Sequence, residues 1–154
     1  MAIGTLMKTE LVTAAPDESI SHAAFSMSRN GVGAVLVLDG DTLVGILSER
    51  DVLARVVAEG RDPTTTKVME VATSQVVSVD VDTSLRECAA LLQSKNIRHL
   101  PVLEGGRPVG ILSGRDFFAY VVEGLERLVL QARYKEALAD GDDPYDHLGG
   151  SYGE

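Results

Sequence analysis

The sequence predicts an α+β fold: two tandem β-α-β-β-α units packed through their sheets, followed by a C-terminal helix. Three observations carry this expectation. The octapeptide Val44-Gly45-Ile46-Leu47-Ser48-Glu49-Arg50-Asp51 returns as Val109-Gly110-Ile111-Leu112-Ser113-Gly114-Arg115-Asp116, with seven of eight residues identical. The offset of 65 between the copies holds without a gap from Thr13/Ser78 through Leu53/Phe118. Within each copy the residue pattern runs in one order, from an extended run to a helix, a hairpin and a second helix.

Each unit opens with a short extended run, Glu10–Thr13 or Gln75–Ser78. A helix follows, with apolar residues at 20, 23, 24 and 27, matched by 85, 88, 89 and 92. That spacing places them on one helical face. Ser84 and Glu87 have the spacing of a capping box; Ser19 keeps the cap position, with His22 in place of the glutamate. The helices are expected to stop at Gly31 and Asn96, residue types that tolerate a left-handed backbone. Two strands then flank a Gly-containing turn, Gly33–Leu38 with Thr42–Leu47 and Arg98–Leu103 with Arg107–Leu112. A closing helix ends each unit, Glu49–Glu59 or Gly114–Glu123. Unit boundaries are expected at 5–60 and 67–124, across the polar, turn-rich linker Gly60–Thr66. One three-stranded sheet with two helices is small, so two units pairing through their sheets bury what neither buries alone. Beyond Gly124 a separate amphipathic helix is expected over 125–139, with Leu125, Leu128, Val129 and Ala132 on one face. Residues 140–154, acidic and Gly-rich, read as a disordered tail.

Composition narrows the function. The 154 residues are 45% hydrophobic and 24% charged, as in an ordinary globular protein. No apolar run is long enough for a membrane span, and the N-terminus has no signal-peptide pattern, so a cytoplasmic protein is expected. A single cysteine, Cys88, on the apolar face of its helix, fits a reducing compartment and an inert thiol. The net charge of −9 opposes nucleic-acid binding. The tail holds five acids and no Lys or Arg, which leaves −4 on the body. His22, His99 and His147 have no metal-ligand spacing, among themselves or with Cys88. The serines of the octapeptides have no evident base beside them, so no catalysis is expected.

The octapeptide is itself a candidate anion site. A helix that starts after Ser48 or Ser113 presents unpaired N–H groups and the positive end of its dipole. The serine hydroxyl can donate to a phosphate oxygen, and Arg50 or Arg115 adds positive charge. Asp51 and Asp116, three residues on, face the same side and can accept from two adjacent ribose hydroxyls. Gly45 and Gly110 permit close approach by backbone or a ring. The same Ser-x-x-Asp pattern also serves simply to cap a helix, and the two roles are compatible.

The tandem units, the segment Ile97-Arg98-His99-Leu100-Pro101-Val102 and the two copies of Gly-Ile-Leu-Ser-x-Arg-Asp resemble the CBS domains, a family normally found in pairs. The resemblance covers roughly residues 5–123. It implies a pseudo-twofold pair whose cleft takes an adenosine-containing ligand, and disc-like homodimers of such pairs. It implies phosphate contact for Ser48 and Ser113, the ribose role for Asp51 and Asp116, and a lining role for Thr13 and Ser78. Arg98 and His99 stand where the first repeat has Gly33 and Ala34, and the resemblance directs them at ligand phosphates. They would make the second pocket the more cationic, against an opposing Asp80 in place of Ala15. The expectation is a regulatory sensor of AMP, ADP or ATP, with no resident cofactor, signalling through conformation or assembly to an unidentified partner. The alternatives are a sensor of S-adenosylmethionine or NAD(H), and a structural module that only assembles.

Overall fold

The computed structural model describes residues 3–141. Residues up to Asp116 form one compact unit, and the chain from Phe117 onward forms a second. The first repeat consists of β1 (Thr13–Ala14), α1 (Ile20–Asn30), β2 (Ala34–Asp39), β3 (Thr42–Ser48) and α2 (Glu49–Val52). A short helix, α3 (Val68–Val71), precedes the second repeat. That repeat follows the same order: β4 (Val79–Asp80), α4 (Leu85–Ser94), β5 (His99–Glu104), β6 (Arg107–Ser113) and α5 (Gly114–Ala139). Two three-stranded sheets result, β1-β2-β3 and β4-β5-β6, each with one parallel and one antiparallel pairing. The expected α+β architecture is therefore present, and β3 and β6 lie against each other.

Local chemistry explains the boundaries. Ser84 and Glu87 form the expected capping box: Ser84 Oγ accepts from the Glu87 N–H at 3.2 Å, and the Glu87 carboxylate accepts from the Ser84 N–H at 3.4 Å. Ser19 Oγ accepts from the His22 N–H at 3.1 Å, and the His22 ring turns to Glu18 instead. Gly31 and Asn96 both adopt the left-handed backbone at the helix ends, with φ of 62° and 50°. In the central strands, Ala34 to Val37 are all buried, as are Leu100 to Val102.

The two cores are joined by an exchange of lead-in segments. Ile3 is fully buried in the core of the second repeat, with Val79, Cys88, Leu100, Val102 and Leu112, and Leu6 and Met7 pack on it. Val68, Val71 and Ala72 are buried in the core of the first repeat, among Ile20, Val35, Leu47 and Val56. Lys8 bridges to Ile111 of β6, and Thr73 bridges to Ile46 of β3. These bridges are equivalent under the offset of 65, so each repeat receives from the other what it donates. Such reciprocity is what an approximate twofold axis between the repeats requires.

The exchange explains Gly45 and Gly110. A Cβ on Gly45 would lie 3.2 Å from the Thr73 carbonyl oxygen. One on Gly110 would collide with Met7 Sδ and lie 3.1 Å from the Lys8 carbonyl oxygen. Both glycines thus admit a neighbouring backbone, one of the two uses that the sequence left open.

Several boundaries differ from expectation. β1 and β4 lie at 13–14 and 79–80, later than expected, because only there do they pair with the central strands. The first closing helix turns after Val52 into a π-helical stretch, Leu53–Val57. Gly124 does not break the chain: α5 is one helix of 26 residues. A glycine inside a helix costs only about 1 kcal/mol, little against so long a helix. None of its residues is buried as a whole. Asp140 and Gly141 form a turn, and the rest of the expected tail, with His147, lies outside the described residues. Among the described residues no helix is long and apolar enough to cross a membrane.

Two substitutions test the exchange. Ile3→Ala should lower the unfolding free energy by about 2–5 kcal/mol, as for a core residue, although it stands near the start of the chain. Denaturant unfolding that shows a loss below about 0.5 kcal/mol would instead describe a surface position. Gly110→Val should cost about 1–3 kcal/mol through overpacking against Met7 and Lys8.

Candidate functional site

Both octapeptides end at cavities of the first compact unit. The first cavity, of about 290 Å³, is lined on one side by Ser48, Arg50, Asp51 and Arg55 and on the other by Asn96, Ile97, Arg98 and His99. Thr73, Gln75 and Val77 complete it. The second, of about 570 Å³, sets Ser113, Arg115 and Asp116 against Gly31, Val32, Gly33 and Ala34, with Lys8, Glu10 and Val12 completing it. Nearly every lining residue of one has its counterpart in the other at the offset of 65. Each cavity is thus built from the octapeptide of one repeat and the β-strand start of the other.

The same local bond recurs in both repeats. The Glu49 N–H donates to the Gly33 carbonyl at 3.0 Å, and the Gly114 N–H donates to the Arg98 carbonyl at 2.8 Å. This hydrogen bond brings each octapeptide beside the strand start of its own repeat. Gly33, Glu49, Arg98 and His99 consequently line both cavities.

The two aspartates are in different states. Asp51 is buried, and its Oδ2 accepts from the Ser48 N–H at 2.9 Å while Ser48 Oγ accepts from the Asp51 N–H at 3.2 Å. Its Oδ1 receives the Thr73 hydroxyl at 3.5 Å and faces Arg55 at 3.8 Å. Asp51 therefore completes a capping box and is largely satisfied. Asp116 keeps half of that arrangement: its N–H donates to Ser113 Oγ at 3.0 Å. Its Oδ2 is buried without a hydrogen-bond partner. A buried carboxylate oxygen in that state is costly and calls for a donor.

Ser48, Arg50 and Asp51 line the first cavity and Ser113, Arg115 and Asp116 the second, each group together as the spacing indicates. Thr13 and Ser78 line neither. The preceding residues, Val12 and Val77, take that position, because successive side chains of an extended chain point to opposite sides. Asp80 also lines neither cavity, and Arg98 and His99 line both, so these residues do not make the second pocket the more cationic. The reason is topological: the start of β5 lies where the repeats meet. Sequence reasoning passed over Glu49, which occupies the one position at which the octapeptides differ, opposite Gly114. A Cβ on Gly33 would lie 3.1 Å from Glu49 Oε1 and 3.4 Å from His99 Nε2. Burial holds the His99 imidazole below its ordinary pKa of 6.5; Glu49 and Asp116 pull it up, Arg98 and Lys8 push it down.

Cys88 is fully buried, and burial pushes its thiol up, away from the reactive thiolate. Among the described residues no group of three or more His, Cys, Asp or Glu is placed to hold a metal.

Known proteins agree with this arrangement. The CBS domain family profile matches residues 3–58 and 68–123. The CBS domain-containing protein YhcV of Bacillus subtilis is 36% identical over 107 residues, 70% of this chain and 76% of its own length. A protein with CBS domains from Burkholderia ambifaria superposes with a TM-score of 0.76 at 33% identity, covering 80% of this chain and 95% of its own. A CBS domain protein of Pyrobaculum aerophilum, complexed with AMP, gives a TM-score of 0.70 at 29% identity over 75% of this chain and 89% of its own. With two tandem units, reciprocal lead-in segments and a Ser-x-Arg-Asp junction in each, the chain belongs to the CBS-domain family.

Proposed function

We propose that the chain is a non-catalytic sensor that binds an adenosine nucleotide (AMP, ADP or ATP) between its repeats, and that the second cavity fills first. The observation that carries this reading is Asp116 Oδ2, buried and unpaired beside a cavity of about 570 Å³. The 2′- and 3′-hydroxyls of a ribose would supply the missing donors. The N-terminus of α5, Ser113 and Arg115 stand next to it for the phosphate, and Lys8 and Arg98 offset the carboxylates of Glu10 and Glu49. The AMP complex of the Pyrobaculum aerophilum relative supports the same ligand class here. The first cavity is smaller, and its aspartate is already engaged.

The signal is a change in relative arrangement or assembly, which requires the ligand to prefer one arrangement over another. A homodimer is the assembly proposed. Its support is apolar surface left open on each compact unit: Leu53 and Val57 are 64% and 65% exposed on one, and Phe118, Leu125, Leu128 and Leu130 are exposed on the other. A module whose only task is assembly is the second reading, and this surface favours it. The inert thiol of Cys88 suits a cytoplasmic setting.

Calorimetric titration with AMP, ATP, S-adenosylmethionine and NADH tests the ligand. AMP should bind, and Asp116→Asn should weaken it about tenfold or more without loss of stability. Asp51→Asn should weaken the first binding event little, but should cost about 1 kcal/mol of stability through the damaged cap. Absence of binding at millimolar ligand would reject the sensor and leave assembly. Light scattering of a Leu125→Glu/Leu128→Glu variant separates the two: a monomer that still binds AMP assigns the helix to assembly alone.

His99 provides a pH test. Its folded pKa lies below 6.5, so on acidification the unfolded chain takes up the proton first, and this contribution to stability falls as pH drops below 6.5. His99→Gln should remove that part of the pH dependence of unfolding. In NMR titrations the His99 pKa should rise when AMP is added, because a phosphate favours the imidazolium.

A further inference from the structure

We propose that the two cavities compete for one anion-binding group, so that an anionic nucleotide in either cavity weakens binding of a second. The inference rests on the nucleotide reading above and concerns its stoichiometry. Its basis is the set of residues common to both cavities: Gly33, Glu49, Arg98 and His99. In a strict duplication each cavity would have its own copy of this set. Here the copies differ, since Glu49 stands opposite Gly114 and Arg98 opposite Gly33. One carboxylate and one guanidinium therefore serve two sites.

The charge balance shows what Arg98 decides. The first cavity has Arg50, Arg55 and Arg98 against Glu49 and Asp51, a surplus of one cation when His99 is neutral. Without Arg98 it is balanced. The second has Lys8, Arg98 and Arg115 against Glu10, Glu49 and Asp116, which balance; without Arg98 it is negative. A phosphate that draws Arg98 to itself thus leaves the other cavity a cation poorer. Glu49 lines both cavities and repels an anion in either; the first anion offsets this by drawing Arg98, and the second cannot. No ion pair among the described residues holds Glu49 to Arg98, so the guanidinium is available to either side. Arg98 is exposed, which leaves its long side chain room to swing between the two.

Coupling of this kind is typically 5–150-fold. Calorimetric titration of the full chain with AMP should show one molecule bound per chain, and a second at least about tenfold weaker. In Glu49→Gln both molecules should bind tighter, the second by about tenfold more than the first, narrowing the gap, while the melting temperature stays unchanged because Glu49 is exposed. In Arg98→Met the first binding should weaken and the inequality should shrink. Two equal and independent sites in the native chain would overturn the inference, and the order of filling with it, while leaving adenosine-nucleotide binding intact. So would unequal sites whose ratio ignores Glu49→Gln, since the inequality would then belong to each cavity's own lining. No AMP binding at all would instead reject the nucleotide reading, and this inference with it.

Discussion

The structure depends on the crossing of two short apolar segments. Neither repeat closes its own core: Ile3 fills the second and Val68 and Val71 fill the first. The crossing holds β3 and β6 against each other and requires Gly45 and Gly110, because the Thr73 and Lys8 backbones run over them. It also carries Lys8 and Thr73 to the cavity edges, where Thr73 reaches Asp51. Packing and site are therefore one constraint. A displaced lead-in segment would open a core and remove a cavity wall together.

What the sequence disclosed follows from the range of each interaction. Capping at Ser84, the left-handed ends at Gly31 and Asn96, and the two hairpins are set by residues a few positions apart, and all were legible. The exchange was not, although its trace is there: Ile3 and Leu6 stand 65 residues before Val68 and Val71. Four-residue apolar pieces have too little periodicity to be read, and their partners lie in the opposite repeat. Thr13 and Ser78 missed the cavities by one residue, because a strand side chain reverses face at each step. Gly124 misled for a different reason: a local helix penalty of about 1 kcal/mol is too small to divide a helix otherwise made of good formers.

The octapeptides show how one motif takes two states. Ser48 and Asp51 satisfy each other and are assisted by Thr73 and Arg55. Ser113 and Asp116 make only half of the same cap and leave a carboxylate oxygen buried and unpaired. Where the first repeat's motif meets Thr73, the second meets Lys8, whose backbone bridges to Ile111 while Asp116 Oδ2 stays without a hydrogen-bond partner. On the proposed nucleotide reading, cap and ligand site are thus alternatives of degree. The more completely the aspartate serves the helix, the less of it remains for a ribose.

Position decides how much a single difference counts. A charge at the rim of one cavity, such as Glu10 or Arg50, acts on that cavity alone. A charge where the repeats meet acts on both, because the strand start of each repeat abuts the octapeptide of its own repeat and faces that of the other. Glu49 and Arg98 are such charges, and each stands opposite a glycine in the other copy. Had Gly33 been an arginine as well, its side chain would have needed the space now held by the Glu49 carboxylate and His99 Nε2. The glycine on one side is what lets the other side's charges reach both cavities. Two nearly identical motifs thereby enclose a centre that is not duplicated, and the properties of the pair follow from that centre more than from either copy.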